Sequence, residues 1–395
     1  MRRMLLVAMV GVIALSTSGC TLFSWGDGTL GQIGDGTHHS RSEPVAAARN
    51  PSWLVLDAGD SHSCAIDVVL ALYCWGDGQA GQIGDGAQVS RTVPTKVGIS
   101  NDWTVVSAGG FGGALPSGDP RTGATCGIRR PGSLYCWGTG PVGTGASTST
   151  TPVQVGVDSD WTIVSTGAFH ACGIRAGALY CWGNNDRGQL GDGTVISEPT
   201  PVRIGTDSDW NSISASFSAH TCGIRAAGEL YCWGANGTGQ LGDGTTIDRA
   251  VPTRIGTATD WKLVSTGGSG SYDSAGLPAD NVYTGHSCGI RRAAFGALYC
   301  WGENLVGEVG DGTTTERDTP TRESTNGVWK SLTTGPNLTC GIQTTEGNLF
   351  CWGRGDLLGN GTNTSSSVPT QALFNKWSSV SAGRSHVTGL RAGND

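Results

Sequence analysis

Five histidines, His62, His170, His220, His286 and His386, each stand two residues before a cysteine or before Thr388, which takes a cysteine's place. Imidazoles that recur in this way are the first place to look for a bound metal ion. These five are spread along almost the whole chain in the same local surroundings, so one packed residue copied with a repeat explains them better. Each is expected to hydrogen-bond loop backbone near a central channel. Asp85, Asp192, Asp243 and Asp311 lie in G-D-G turns and could suggest calcium. Each turn offers one carboxylate, and two others carry Thr144 and Asn360 instead, so turn capping accounts for them. Serine, histidine and aspartate recur throughout, and no nucleophile elbow, P-loop or nucleotide-binding glycine motif stands outside the repeats. The sequence predicts no catalytic residue, no metal site and no cofactor.

The remaining reactive side chains are cysteines. Apart from Cys20 they fall into six close pairs: Cys64/Cys74, Cys126/Cys136, Cys172/Cys181, Cys222/Cys232, Cys288/Cys300 and Cys340/Cys351. Separations of nine to twelve are too long for C-x-x-C redox or zinc sites and suit the two arms of a β-hairpin. In C-G-I-R-A-G-A-L-Y-C, pairing Cys172 with Cys181 also pairs Ile174 with Leu179 and leaves the two-residue turn Ala176-Gly177. Opposed residues in an antiparallel pair bring Cα atoms to about 4.5–5.5 Å, within a disulfide's reach. Each closure contributes roughly 2.5–3 kcal/mol on the chain-entropy account. Six such bonds leave no thiol for catalysis and require an oxidising compartment.

The elements that hold these residues are written as a repeat. Units begin at Trp53, Trp103, Trp161, Trp210, Trp261, Trp329 and Trp377, about fifty residues apart. A second tryptophan follows the second cysteine of each pair, at Trp75, Trp137, Trp182, Trp233, Trp301 and Trp352, and Trp25 is the seventh of that set. All fourteen are thereby placed, two per unit, as core aromatics rather than a ligand cage. Glycine numbers 65 and charged residues only 14%, a composition for many short strands joined by tight turns. Fixed-period units of about four short strands predict an all-β, seven-bladed β-propeller. W-x-x-V-S supplies the inner strand, C-G-I-R the second, L-Y-C-W-G the third, and P-T-x-V/I an outer edge where proline is tolerated.

These motifs, W-x-x-V-S-A-G-x-x-H, L-Y-C-W-G-x-N and G-Q-L-G-D-G, resemble the repeats of the regulator of chromosome condensation (RCC1-like) family, from Leu22 to Leu390. The resemblance implies the seven-bladed propeller. It does not single out a function, because that family includes exchange factors, photoreceptors, inhibitors and receptor ectodomains.

Two departures from the repeat are informative. The last unit ends after Leu390, and the third strand it lacks matches Leu22-Phe23-Ser24-Trp25-Gly26. Ser24 and Thr388 then replace the seventh cysteine pair together, and the N-terminal strand closes the last blade. The other departure is length. Tryptophan to cysteine takes 23 residues in the second unit and 27 in the fifth, through insertions Gly110 to Ala124 and Gly268 to Gly285. Loops on a rigid scaffold are common binding elements, so Phe111, Leu115, Arg121, Tyr272, Asp273, Leu277 and Tyr283 are the candidate partner-binding residues.

Residues 1–20 read as an export signal: Arg2 and Arg3, an apolar run from Met4 to Leu15, then small residues ending at Cys20. T-S-G-C resembles a bacterial lipoprotein processing site, with Thr17 where leucine is usual, which implies lipidation of Cys20. Residues 21–395 then form a single propeller domain. With Lys+Arg 25 against Asp+Glu 32 and no basic run, nucleic acid is excluded as a partner. The expected protein is a monomeric, non-catalytic scaffold in the cell envelope, as an outer-membrane lipoprotein or otherwise periplasmic or secreted. It is anchored to the membrane by lipid and binds a protein or glycan. The alternative, implied by the resemblance alone, is guanine-nucleotide exchange, which needs a cytosolic GTPase that an exported chain does not meet.

Overall fold

The computed structural model describes residues 20–48, 51–110, 123–272, 278–293 and 295–393. Among these, the strands form seven four-stranded antiparallel sheets and one two-stranded sheet, the architecture of a seven-bladed β-propeller. Blade three is representative, with strands Trp161–Thr166, His170–Arg175, Ala178–Gly183 and Glu198–Arg203 in that spatial order. Its central hairpin pairs Cys172 with Cys181, Ile174 with Leu179 and Arg175 with Ala178. Ala176 and Gly177 make the turn with φ of 47° and 76°, the two left-handed residues that a tight hairpin of this twist requires.

All six disulfides form: Cys64–Cys74, Cys126–Cys136, Cys172–Cys181, Cys222–Cys232, Cys288–Cys300 and Cys340–Cys351. In each the Cα atoms are 4.1 Å apart. That is closer than the range of about 4.5–5.5 Å expected for opposed residues in general. Register supplies the reason. Arg175 and Ala178 flank the two-residue turn as a hydrogen-bonded pair, so alternation puts Cys172 and Cys181 at a non-hydrogen-bonded position, where strands approach most closely. The bonds place the chain in an oxidising compartment.

Blade seven is assembled from both ends of the chain. Its inner strands are Trp377–Ala382 and His386–Arg391, and the third is Thr21–Gly26, running antiparallel to the second in the register Ser24 to Thr388. The Ser24 hydroxyl donates to Thr388 Oγ1 at 3.3 Å, where the other six blades have a disulfide. The N-terminal segment also supplies the outer strand, Arg41–Ala46. The seventh blade is thus half N-terminal and half C-terminal, and the ring closes without a covalent bond.

The core lies between blades. The Cys172–Cys181 disulfide and Ile174 of blade three pack under Trp210 and Trp233 of blade four. Those two indoles meet edge to face with centroids 5.8 Å apart. A β-carbon at Gly223 would stand 2.8 Å from the Trp210 ring, so the glycine of C-G-I-R makes room for the tryptophan. Gly191, in the preceding G-Q-L-G-D-G turn, has φ +81°, and its β-carbon would sit 2.6 Å from Trp233 Nε1. Each tryptophan of this kind is worth roughly 3–5 kcal/mol against alanine. No helix among the described residues is long and apolar enough to cross a membrane.

Candidate functional site

Alternating strand direction puts the first-to-second loops and the third-to-fourth turns of every blade on one face of the ring, and the C-G-I-R…L-Y-C hairpin turns on the other. The loop face carries both insertions. That of blade five begins as a two-stranded arm, Ser269–Tyr272 paired with Pro278–Thr284. The arm leans back over blades four and three. The Tyr283 hydroxyl donates to Asp186 Oδ2 at 2.9 Å, and the Arg187 guanidinium stands 5.2 Å from the Tyr283 ring. Gln240 Nε2 donates to the Tyr283 carbonyl at 2.9 Å.

One candidate contact residue serves the arm itself. Tyr283 is 4% exposed and packed on Ala219 and Ala235, so its ring secures the base of the arm. The cause is the two alanines beneath it, whose small side chains leave room for a ring from the neighbouring blade. Tyr272 lies in the first arm strand, opposite Pro278. Phe111, Leu115, Arg121, Asp273 and Leu277 fall outside the described residues.

The paired cysteines lie apart from any such site. Cys64, Cys126, Cys172, Cys222, Cys288 and Cys340 sit in second strands, and their partners Cys74, Cys136, Cys181, Cys232, Cys300 and Cys351 in third strands. All twelve are fully buried within the inter-blade core, so they staple the blades and touch no ligand surface. Cys20 is the free cysteine among the described residues, and it is half-buried.

The five histidines are buried, and their partner is not the loop backbone expected from sequence. Each Nε2 reaches a hydroxyl of the next blade: His62 to Thr125, His170 to Thr221, His220 to Ser287, His286 to Thr339 and His386 to Ser63, at 2.7–3.0 Å. Each hydroxyl spends its own hydrogen on a turn carbonyl, as Thr221 does on Gln189 O at 2.9 Å. The imidazole must therefore be the donor, protonated on Nε2. A tryptophan Nε1–H shares that carbonyl, Trp233 on Gln189 O at 3.0 Å. Burial holds His62 and His170 down to about 4, and His220, His286 and His386 to about 3. They are neutral inter-blade latches. The signal was in the sequence. Where the histidine is replaced, by Ala124 in blade two and Leu338 in blade six, the hydroxyl position of the following blade is Ala171 and Val387.

The aspartates of the G-D-G turns also act locally. Asp243 Oδ1 accepts the Thr245 amide at 3.0 Å, and its other oxygen pairs with Arg249 at 2.7 Å. Those hydrogen bonds and the arginine hold Asp243 below the usual carboxylate range against the opposing effect of its burial. Among the described residues, no three His, Cys, Asp or Glu side chains come together as a metal ligand set.

Two features were not anticipated. Around the inner strands, one blade's serine or threonine accepts an amide of the next, as Ser165 Oγ does from Ala215 N at 2.9 Å. Blade one places Asp57 in that ring, accepting from Ala108 N at 2.8 Å and the Ser381 hydroxyl at 2.7 Å. Burial lifts its carboxyl to about 6 despite these bonds. In blade five, Glu303 and Glu308 stand where blade three has Asn184 and Gln189, whose side-chain amides hydrogen-bond each other. Burial, with Glu308 close by, pushes Glu303 up to about 7. Among the described residues, Glu303 Oε2 and Glu308 Oε1 have no hydrogen-bond partner.

Comparison with known proteins agrees with this architecture. The regulator of chromosome condensation (RCC1) repeat profile matches residues 21–66, 71–114, 176–223, 227–272 and 346–390, more than half of the chain. The chain belongs to the RCC1 repeat family. A second profile of the same repeat matches residues 161–189 and 210–240. Two matched RCC1 segments break off at 114 and 272, inside the two insertions, as expected if these are additions to the repeat. The Ultraviolet-B receptor UVR8 of Arabidopsis thaliana is 28% identical over 277 residues, covering 66% of this chain and 59% of the receptor. The human E3 ubiquitin-protein ligase HERC2 is 28% identical over 37% of this chain, which spans 3% of the ligase. Yeast RCC1, solved with Kap60 bound, superposes with a TM-score of 0.78 at 19% identity, covering 96% of this chain and 90% of that one. Human WBSCR16 gives 0.77 at 15% identity, covering 95% and 100%. At such identities the two structures speak for the fold.

Proposed function

We propose that this RCC1-repeat chain is a non-catalytic, exported propeller scaffold. In this reading it is held at the cell envelope through a lipid on Cys20 and binds a protein or glycan partner on its loop face. The observation that carries the binding face is the arm of blade five. It departs from the four-stranded plan, and Tyr283, Arg187 and Gln240 fix its base, which lowers the ordering cost of binding beside it. The insertion of blade two lies three blades away, about 150° around a regular seven-bladed ring. Two elements so placed would close on a ligand from opposite sides of the channel mouth.

Orientation supports the anchor. Cys20 bridges to Trp53, the first residue of an inner strand, at the end of the ring where the hairpin turns lie. A lipid there would set the hairpin turns toward the membrane and the insertions away from it. The six disulfides favour an exported scaffold over exchange on a cytosolic GTPase.

Fractionation and pull-down test the two halves separately. Cys20→Ser should move the protein from the membrane to the soluble fraction with its fold intact. Unchanged sedimentation would overturn the anchor. Replacing residues 269–284 or 110–122 with a neighbouring blade's short turn should remove partners captured from envelope extracts by the wild-type protein. Identical capture by both shortened variants would overturn the binding face.

A further inference from the structure

On the hairpin-turn face, an arginine closing the C-G-I-R strand lies over the aromatic rings of its blade and binds carboxylates from the segment that leads into it. In blade three, Arg175 holds both Asp158 and Asp160, the latter at 3.1 Å. In blade four, Arg225 holds Asp207 at 2.9 Å and Asp209 at 2.7 Å. In each case the two aspartates stand three residues and one residue before the inner-strand tryptophan.

Blade five keeps the arginine and loses one acid. Arg291 turns Nε and Nη2 onto Asp260 Oδ1 alone, at 2.8 and 2.7 Å, and Ala258 stands where the second aspartate would be. A groove of about 450 Å³ opens there between blades four and five, lined by Asp243, Arg254, Ala258, Trp261, Arg291 and Tyr299, with the Asp243 carboxylate already paired with Arg249. Trp261 is 3% exposed, and its buried Nε1–H has no hydrogen-bond partner among the described residues. The indoles of Trp103, Trp161 and Trp210 are likewise unpartnered among the described residues, so this donor alone does not mark blade five. Blade six illustrates what such a donor accepts. Glu323, from the corresponding segment, places Oε1 3.3 Å from Trp329 Nε1 and 2.8 Å from the Gly327 amide. The fold thus supplies two carboxylates to the arginine in blades three and four, one in blades two and five, and one to the indole in blade six. Blade two likewise holds Arg129 on Asp102 alone, with Ser100 at the second position, so what sets blade five apart is the groove beside its arginine.

We propose that the groove between blades four and five binds a carboxylate from an acidic side chain of a partner polypeptide, received by Arg291 and the Trp261 indole. A guanidinium suits a planar two-oxygen anion, and the Trp261 and Tyr299 rings beneath Arg291 keep water from one side of the pair. This site lies on the hairpin-turn face and does not depend on the insertions.

The test uses the mature protein carrying ¹⁵N in its indoles, titrated with N-acetyl-glutamate N-methylamide, its glutamine counterpart, and glutarate. The glutamate probe should shift the Trp261 indole resonance saturably, and the glutamine probe should not. Ala258→Asp installs the acid that blades three and four already accommodate, so it should fold normally and weaken the probe at least about tenfold. Arg291→Gln should weaken it comparably. No saturable shift at high millimolar probe, or a shift that survives Ala258→Asp, would overturn the site. Saturation by glutarate but not by the glutamate probe would overturn the assignment to a polypeptide.

Discussion

If the histidines are latches between blades, a histidine and its hydroxyl must be energetically coupled, and the junction of blades three and four allows the coupling to be measured. Thr221→Val leaves the His170 Nε2–H buried without an acceptor. Gln189 O loses one donor but keeps the Trp233 indole at 3.0 Å. One orphaned buried donor costs about 1–3 kcal/mol, so the single variant should lose about 2 kcal/mol. His170→Leu leaves Thr221 donating to Gln189 O at 2.9 Å and orphans nothing on the hydroxyl side. The double variant reproduces the apolar pair Leu338 and Val387 that the chain uses between blades six and seven. It should therefore be about as stable as His170→Leu alone, which makes the coupling about 2 kcal/mol. Urea unfolding followed by tryptophan fluorescence at pH 7.5, with disulfides intact, gives all four corners of the cycle. Additivity to within about 0.5 kcal/mol would refute the latch, because it would mean that neither side chain depends on the other.

Three further outcomes follow from the same geometry. The five buried histidines have folded pKa values of about 3 to 4, below the usual 6.5, so the unfolded chain takes up protons that the ring refuses as pH falls below 6.5. At pH 5 each should favour unfolding by about 2 kcal/mol, and the raised carboxyls of Asp57 and Glu303 offset roughly 4 kcal/mol of the total; a melting temperature unchanged from pH 7.5 to 5 would contradict this. Asp57→Ser restores the residue type of the other blades and should stabilise the ring at pH 7 by about 1–3 kcal/mol, with the gain shrinking below pH 6 as the carboxyl protonates. A loss of stability at pH 7 in denaturant titration would show that the carboxylate's bonds to Ala108 and Ser381 outweigh its desolvation. Deleting residues 22–26 removes the third strand of blade seven and uncovers the edge of His386–Arg391, so thermal unfolding should fall sharply; a melt matching the full chain would disprove closure by that strand.

Local contacts were legible in the sequence. The Cys172–Cys181 pairing and its Ala176-Gly177 turn follow from period-two alternation over ten residues, where few registers compete. The same reasoning reaches Cys288–Cys300, whose hairpin has the longest turn of the six. Ring closure was legible too, because six complete units provide the template from which Ser24 and Thr388 depart as a pair. The seven-bladed plan needed nothing beyond the period and the tryptophans. What passes between blades required the tertiary structure. His170 meets Thr221 across 51 residues, and the only trace in the sequence is indirect, the joint replacements Ala124 with Ala171 and Leu338 with Val387 in other blades. Asp57 reads as an ordinary strand residue until the inner strands form a ring and place Ser381, 324 positions away, against it. Tyr283 was legible only as a residue of an insertion, and it is buried because the arm folds onto Ala219 and Ala235 of another blade. The physical reason is common to all three. Hairpin pairing is decided by neighbours along the chain, whereas a side chain at a blade interface is decided by the surface that the next repeat brings against it.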